Sequence, residues 1–496
     1  MEIPKDKEND LEFKRSVSKQ VTLGLLTNFS NLGPSMSLGF SAVALPFLKG
    51  ILTDDQSSWF ASVASLATPF GCFFSGPFAD RVGRRKAIFF VNFVCISGWL
   101  TIAAACRDAT KIHYPLLIAG RLLTGFSTGL CSSPATVYMV EISSAELRGV
   151  FATWASISFS LGVLLVYFLG FLLKDSLGLI SLISTGFPCV GLLFAIFFVP
   201  ESPVWLVRKN HIEQAKSSMC KVFGANTYNR VIQAEVDMLL QEKGVKKINE
   251  TKSWTKQVVR KINYLLKPES LKPMAIATAF FFFQQFSGTF AIIFYAIDIV
   301  ENAGITFEPY MTIVVIGVVR LLSAILASFL SRSVGRRPLS IVSGIGMTAS
   351  LLILTGLIFL KENGTENLTE LSLVMLLGYF VTSSLGFLPI PFAVTAELFP
   401  SKIRGTATGL TSGLGYVFNF AAVKVYPDIV YFFGRKGVFS CYGVVALLGT
   451  VFVVTLLPET KGKSLQEIEA YFKRKRVDID DNNEMSLKSN YSDRVL

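Results

Sequence analysis

The chain has 496 residues, 51% of them hydrophobic and only 17% charged, at a mean hydropathy of +0.51. That balance is too apolar for a soluble globular protein of this length and excludes water as the main solvent. The net charge of +12 sits in short clusters between apolar runs, which argues against a nucleic-acid surface.

In chain order, residues 1–20 form a mixed-charge tail (Lys5, Asp6, Lys7, Glu8, Lys14, Arg15, Lys19). The run that follows has spanning length and is expected not to be a cleavable signal. About twelve runs of roughly 20 apolar residues can each cross a bilayer core of about 30 Å. They lie near 21–46, 57–79, 87–106, 115–140, 150–172, 177–199, 272–298, 309–331, 338–360, 371–396, 405–430 and 437–457. Each must be helical, because only a helix satisfies its own backbone in lipid.

Positive residues fall in alternate loops: Arg81, Arg84, Arg85 and Lys86, then Arg148, the segment 203–273, Arg332, Arg336 and Arg337, Lys402 and Arg404, and the C-terminal tail. The positive-inside bias predicts that these loops and both termini are cytoplasmic. An intervening loop holds Asn363-Gly-Thr and Asn367-Leu-Thr, candidate glycosylation sites on the opposite side. The seven cysteines lack paired spacing or histidine partners. They read as packing residues, with no disulfide framework or metal site.

Three motifs repeat in order. Gly83-Arg84-Arg85 recurs as Gly335-Arg336-Arg337 (335 − 83 = 252), and Glu141 with Arg148-Gly149 recurs as Glu397 with Arg404-Gly405 (397 − 141 = 256). Pro200-Glu201-Ser202 recurs as Pro458-Glu459-Thr460 (458 − 200 = 258). The repeat predicts an all-α integral membrane protein of 12 transmembrane helices in two parallel six-helix halves, 21–200 and 272–457. A helical linker, 201–271, joins them, and a tail, 458–496, follows. Two such bundles can rock about a site at their interface, which is alternating access. No nucleophile-base pair, nucleotide loop or metal-ligand cluster suggests an enzyme or a cofactor.

Asp80-Arg-Val-Gly-Arg-Arg, Gly120-Arg121, Tyr138-Met-Val-Glu-Ile, Pro200-Glu-Ser-Pro-Val-Trp-Leu206, Gln284-Gln-Phe-Ser-Gly288, Pro389-Ile-Pro391, Glu397-Leu-Phe-Pro and Pro458-Glu-Thr-Lys-Gly462 together resemble the signature set of the sugar porter family of the major facilitator superfamily. Within it, Ser384-Leu-Gly-Phe-Leu-Pro-Ile-Pro391 is most similar to the animal facilitated trehalose and glucose transporters. The likeness implies the major facilitator fold and facilitative transport of a hexose or trehalose by a monomer; with no acidic dileucine pattern in the N-terminal tail, the plasma membrane is the default location. The other readings are a carrier of another small organic solute and a non-transporting sugar sensor.

Charges at the motif ends (Arg84, Arg85, Glu141, Arg148, Glu201, Arg336, Arg337, Glu397, Arg404, Glu459) can pair to hold the cytoplasmic side closed, the role the family implies. Arg121 reads as the one strongly basic residue well inside an apolar run. In proton-coupled porters such an arginine faces a carboxylate in the first helix, but here alignment puts Gly39 at that position and the first run has no Asp or Glu. Uniport is the simplest expectation.

A neutral polyol needs amides, hydroxyls and aromatic faces. Gln284 and Gln285 are the leading candidates, with a helix break expected near Gly288. The family's usual asparagine is replaced by Phe290, its usual tryptophan by Phe392, and its fifth-helix glutamine by Ser156. Ser384 stands where the best-known glucose carriers have an acidic contact, and Asn419 is the nearby amide of the eleventh helix. Thr289 and Tyr295 are further candidates to compensate.

Overall fold

The computed structural model describes residues 5–108, 112–143, 145–174, 176–224, 232–233, 236–240, 265, 268–303, 305–363, 368–399, 404–461, 467 and 472. The described backbone is almost wholly helical, and among the described residues eight helical runs are long and apolar enough to cross a membrane, including the interrupted spans 7 and 10 and one folded-back run. The folded-back run crosses twice, and spans 1, 2 and 4 bring the number to twelve.

Span 1 is Lys5–Phe29 continued, after a break, by Leu32–Leu48. The helix therefore begins inside the charged tail, because apolarity marks where lipid starts and not where the helix starts. Span 2 is Asp54–Val82, begun by a capping box between Thr53 and Gln56 that satisfies two otherwise unpaired backbone donors. Span 3 is Arg84–Ala105, span 4 is Tyr114–Leu130 with Pro134–Ile142, span 5 is Ala145–Leu172 and span 6 is Leu177–Phe197. The linker supplies the short helices Pro203–Arg208 and Ile212–Phe223.

The second half repeats the first. Span 7 is Pro268–Phe286 with Ala291–Phe294 and Ala296–Asn302, span 8 is Pro309–Ser333, span 9 is Arg336–Glu362 and span 10 is Thr369–Leu385 with Ile390–Leu398. Spans 11 and 12 share the run Arg404–Leu456, which turns at Gly434 with φ 67° and ψ −177°. Breaks thus fall in spans 1, 4, 7 and 10, the first of every three. Irregular backbone at membrane depth persists where it is buried in protein or lines a cavity.

Close packing inside a half relies on small residues, since lipid gives helices no hydrophobic reason to associate. A Cβ on Gly125 or Gly129 of span 4 would stand 2.1 Å from a backbone oxygen of Ala64 or Thr68 in span 2. Thr68 Oγ1 then reaches Gly125 O at 3.2 Å and Ser75 Oγ reaches Leu130 O at 2.7 Å.

Described contacts between the halves include several at the end away from the repeated basic motifs. Lys424 pairs with Asp55 at 3.0 Å and lies 4.6 Å from the Trp59 ring centroid. Ser58 Oγ donates to Lys424 O at 3.3 Å, Lys174 pairs with Glu308 at 2.7 Å, and Tyr167 OH donates to Ile293 O at 2.8 Å.

Candidate functional site

The segment between Phe286 and Ala291 is not helical, and Gly288 within it has φ +87°. A Cβ there would meet the Tyr442 ring at 2.4 Å, so both backbone conformation and space require glycine. Tyr379 OH donates to the freed Ser287 carbonyl at 3.1 Å, and Ser287 Oγ bonds Gln284 O at 3.0 Å and Thr289 Oγ1 at 3.2 Å. These bonds meet backbone demands that the break creates. Thr289 is thus part of the turn.

Just before the break, four groups form a hydrogen-bonded chain across three spans. Asn419 Nδ2 of span 11 donates to Gln285 Oε1 at 2.9 Å, Gln285 Nε2 to Gln284 Oε1 at 3.1 Å, and Gln284 Nε2 to Leu388 O at 2.8 Å. Leu388 lies in the break of span 10. Gln284, Gln285 and Asn419 are 0–1% exposed. Each amide offers more hydrogen-bonding sites than this chain uses.

One helical turn toward the basic end lies an aromatic layer. Phe392 meets Phe281 edge-on with centroids 4.8 Å apart and Tyr416 at 6.2 Å. The spacing follows from the amide chain, since 281 precedes 285 by a turn, 416 precedes 419 by nearly one, and 392 follows 388 in the antiparallel span 10. Amide donors beside aromatic faces are what sugar hydroxyls and C–H faces require.

Toward the far end, Tyr295 stacks on Tyr426 with centroids 4.3 Å apart, and Tyr426 OH donates to Asp298 Oδ2 at 2.6 Å. The hydroxyls of Tyr442 and Ser384 are buried without a hydrogen-bond partner, and the Tyr295 hydroxyl lies beside Ser58. Phe290 is buried in the core cluster that spans both halves. Ser156 lies apart from the glutamines' hydrogen-bond chain. It falls on the stripe of span 5 that carries Val163 and Tyr167, and it is exposed.

Arg121 is fully buried. Its Nη1 donates to Ser37 O at 2.8 Å and Ser37 Oγ at 3.1 Å, Nη2 to Ser41 Oγ at 2.5 Å and Nε to Phe60 O at 3.3 Å. Gly39 does not face it. A Cβ on Gly39 would point at Val163, Val166 and Tyr167, so the alignment on Gly39 selected the wrong side of span 1. Ser37 and Ser41, two residues to either side, occupy the face toward the arginine. Arg121 is also not alone in depth: Arg320 of span 8 is 5% exposed. The sequence signal was the same, a basic residue inside an apolar run, but it passed unread. Tyr167, Tyr379 and Tyr442 were also missed, because a tyrosine in an apolar run gives no sign of which way it points.

At the basic end each half closes on itself. Arg84 grips Glu141 bidentately, Nε to Oε2 at 2.9 Å and Nη2 to Oε1 at 2.8 Å, and Ser202 Oγ adds a bond to Glu141 at 2.5 Å. Glu201 Oε1 accepts the Arg84, Arg85 and Ser202 amides at 2.8, 3.2 and 2.9 Å. In the second half Arg336 reaches Glu397 at 2.9 Å, Thr460 Oγ1 reaches it at 2.5 Å, and Glu459 accepts the amides of Arg336, Arg337, Thr460 and Lys461. Gly83 and Gly335, with φ of +102° and +101°, let each carboxylate sit on a helix N-terminus, where anions are favoured. Arg85 and Arg337 donate to the backbone carbonyls of Ile196 and Val454. Burial opposes ionisation of Glu459, but the backbone donors of Lys461, Arg336, Arg337 and Thr460 outweigh it and hold the carboxyl below its usual range. The side chains of Arg148 and Arg404, and Asn367, lie outside the described residues. Asn363 is exposed at the end of span 9. All seven cysteines are unpaired.

Two six-helix halves around a polar constellation at broken helices define a membrane carrier of the major facilitator type. Solved structures of the same architecture include a proton:xylose symporter, XylE, bound to 6-bromo-6-deoxy-D-glucose, with a TM-score of 0.72 at 20% identity over 92% of this chain and 100% of that one. An inward open conformation of the xylose transporter XylE from E. coli superposes at 0.75, again at 20% identity, over 91% and 99%. The family described as sugar (and other) transporter matches residues 8–472, and the chain belongs to it. Relatives include the facilitated trehalose transporter Tret1 of Culex quinquefasciatus, 30% identical over 91% of this chain and 85% of that protein. Tret1 of Drosophila virilis is 31% identical over 84% of this chain but only 44% of its own length, so the chain spans about half of that relative.

Proposed function

We propose that the protein carries a sugar, a hexose or trehalose, down its gradient by alternating access, as one chain in the plasma membrane. The observation that carries this reading is the amide chain from Asn419 through Gln285 and Gln284 to Leu388 O, set beside an aromatic layer at the breaks of spans 7 and 10. Gln284, Gln285, Asn419, Phe392, Tyr295 and Ser384 are the residues proposed to meet substrate, with Ser156 on its path from the basic end. The trehalose transporters among the relatives support the substrate class, and the absence of any Asp or Glu from the first apolar run supports uniport.

The basic end is read as cytoplasmic, which puts both termini inside and Asn363 and Asn367 outside as glycosylation sites. The ion pairs of Glu141 and Glu397, with the carboxylates of Glu201 and Glu459 held by backbone amides, are proposed to keep each half rigid at the cytoplasmic gate, with Arg148 and Arg404 joining when it closes. The test is counterflow uptake into vesicles reconstituted with the purified chain and loaded with glucose, fructose or trehalose. At least one sugar should give an overshoot of tracer. Uptake of an unrelated solute with no sugar signal would overturn the proposal.

A further inference from the structure

Arg320 lies near the middle of Pro309–Ser333 and is 5% exposed. Its Nη1 is buried with no hydrogen-bond partner, and among the described residues no carboxylate pairs with it. Tyr167 and Tyr379 stand within electrostatic reach of the guanidinium. Their hydroxyls are directed elsewhere, to Ile293 O and Ser287 O on either side of the span 7 break. Arg320 is thus coupled electrostatically to the two tyrosines that hold the break of span 7. The same protein shows how it treats a guanidinium held for structure. Arg121 has four hydrogen bonds and the rings of Phe40 and Phe60 at 5.8 and 5.1 Å. Arg320 has been given no such cage.

A buried cation without a partner is strongly disfavoured in a membrane interior, and intramembrane arginines that face a bundle interior mark substrate paths. We propose that Arg320 is the counter-charge for an oxyanion on the transported solute, so that this carrier takes a sugar bearing a carboxylate or phosphate. This rests on the reading of the site as a sugar site and refines its substrate class. Two other features fit. Phe290 replaces hydroxyl-binding capacity with a ring, which costs a neutral sugar more than one held by its charge. The unpartnered hydroxyls of Tyr442 and Ser384 remain for the rest of the sugar. A monoanion bound at Arg320 cancels the site's charge, whereas the empty site returns as a cation, so each cycle moves one negative charge.

The test uses vesicles containing the full chain, with labelled glucuronate, glucose 6-phosphate, glucose and trehalose as probes. Glucuronate or glucose 6-phosphate uptake should exceed glucose uptake and should quicken when valinomycin and potassium make the interior positive. Which of the two is taken up identifies the oxyanion. In Arg320→Gln the ratio of anion to glucose uptake should fall on the order of thirtyfold or more, since one partner of a desolvated charge pair is gone. Arg320→Lys should restore part of it. Should the variants not fold, the potential dependence of the unaltered protein and competition of glucuronate against glucose counterflow decide the matter. Glucose or trehalose counterflow that neither anion inhibits would overturn the inference and leave sugar transport standing. Anion uptake with no neutral sugar uptake would support the inference and set aside the neutral hexose or trehalose. No uptake of any probe, with no glucuronate bound in equilibrium dialysis, would overturn both.

Discussion

Asn419 Nδ2 and Gln285 Oε1 lie 2.9 Å apart, a hydrogen bond that ties span 11 to span 7 at the level where span 7 is about to break. Both residues are buried, so removing either leaves its partner short of a bond. Gln285→Ala and Asn419→Ala should each weaken half-saturation for the transported sugar by about 1–3 kcal/mol, roughly five- to 150-fold. If the amides are substrate groups as well as helix ties, the loss appears in the concentration dependence of counterflow. A loss of melting temperature alone would mean they only join helices.

Phe290→Asn should raise glucose counterflow while lowering stability. The ring is buried in the core cluster, and its removal forfeits roughly 1.5–3 kcal/mol of apolar burial. Paired measurements of melting temperature and glucose uptake separate the two effects. An unchanged uptake would leave the ring with a packing role only.

Glu459 accepts four backbone amides, and they hold its pKa below the usual carboxylate value despite partial burial. A depressed folded value means that the stabilisation is full above the ordinary carboxylate range and is lost as pH falls through the lower folded value. Glu459→Gln should therefore cost about 1 kcal/mol or less at neutral pH, because solvent screens this partly exposed carboxylate, and its deficit against the unaltered protein should shrink in acid. Thermal unfolding in detergent across that range measures it. Glu201→Gln should behave alike at neutral pH, since Glu201 accepts three amides in the equivalent place.

Ser41→Asp places a carboxylate where Arg121 now meets a hydroxyl at 2.5 Å. Uptake by that variant should become pH-dependent across the neutral range, while the unaltered protein stays flat. Gly39→Asp should instead fail to fold, because a Cβ there already meets Val166 at 2.8 Å. Expression and uptake of the two variants side by side check the assignment.

The twelve spans, the two halves and the motif pairs at their ends were legible because apolar length and repeated charge are carried by residue type alone. The break at Gly288 was expected too, from the resemblance to sugar porters carried by Gln284-Gln-Phe-Ser-Gly288. The breaks in spans 1, 4 and 10 were not, since glycine and proline are common in membrane helices that stay whole. The face of span 1 toward Arg121 was missed because it turns on two residues of register, and side chains 200° apart on a helix look alike in an alignment. Whether Arg121 and Arg320 had partners could not be read at all, because partners come from other spans.

The most direct test of facilitative sugar transport is tracer sugar uptake into reconstituted vesicles, followed to its plateau with and without an imposed pH gradient. Serine hydroxyls in place of a carboxylate at Arg121 lead us to expect the same plateau in both, with the sugar equal inside and out. Accumulation above the external concentration when the gradient is applied would contradict it.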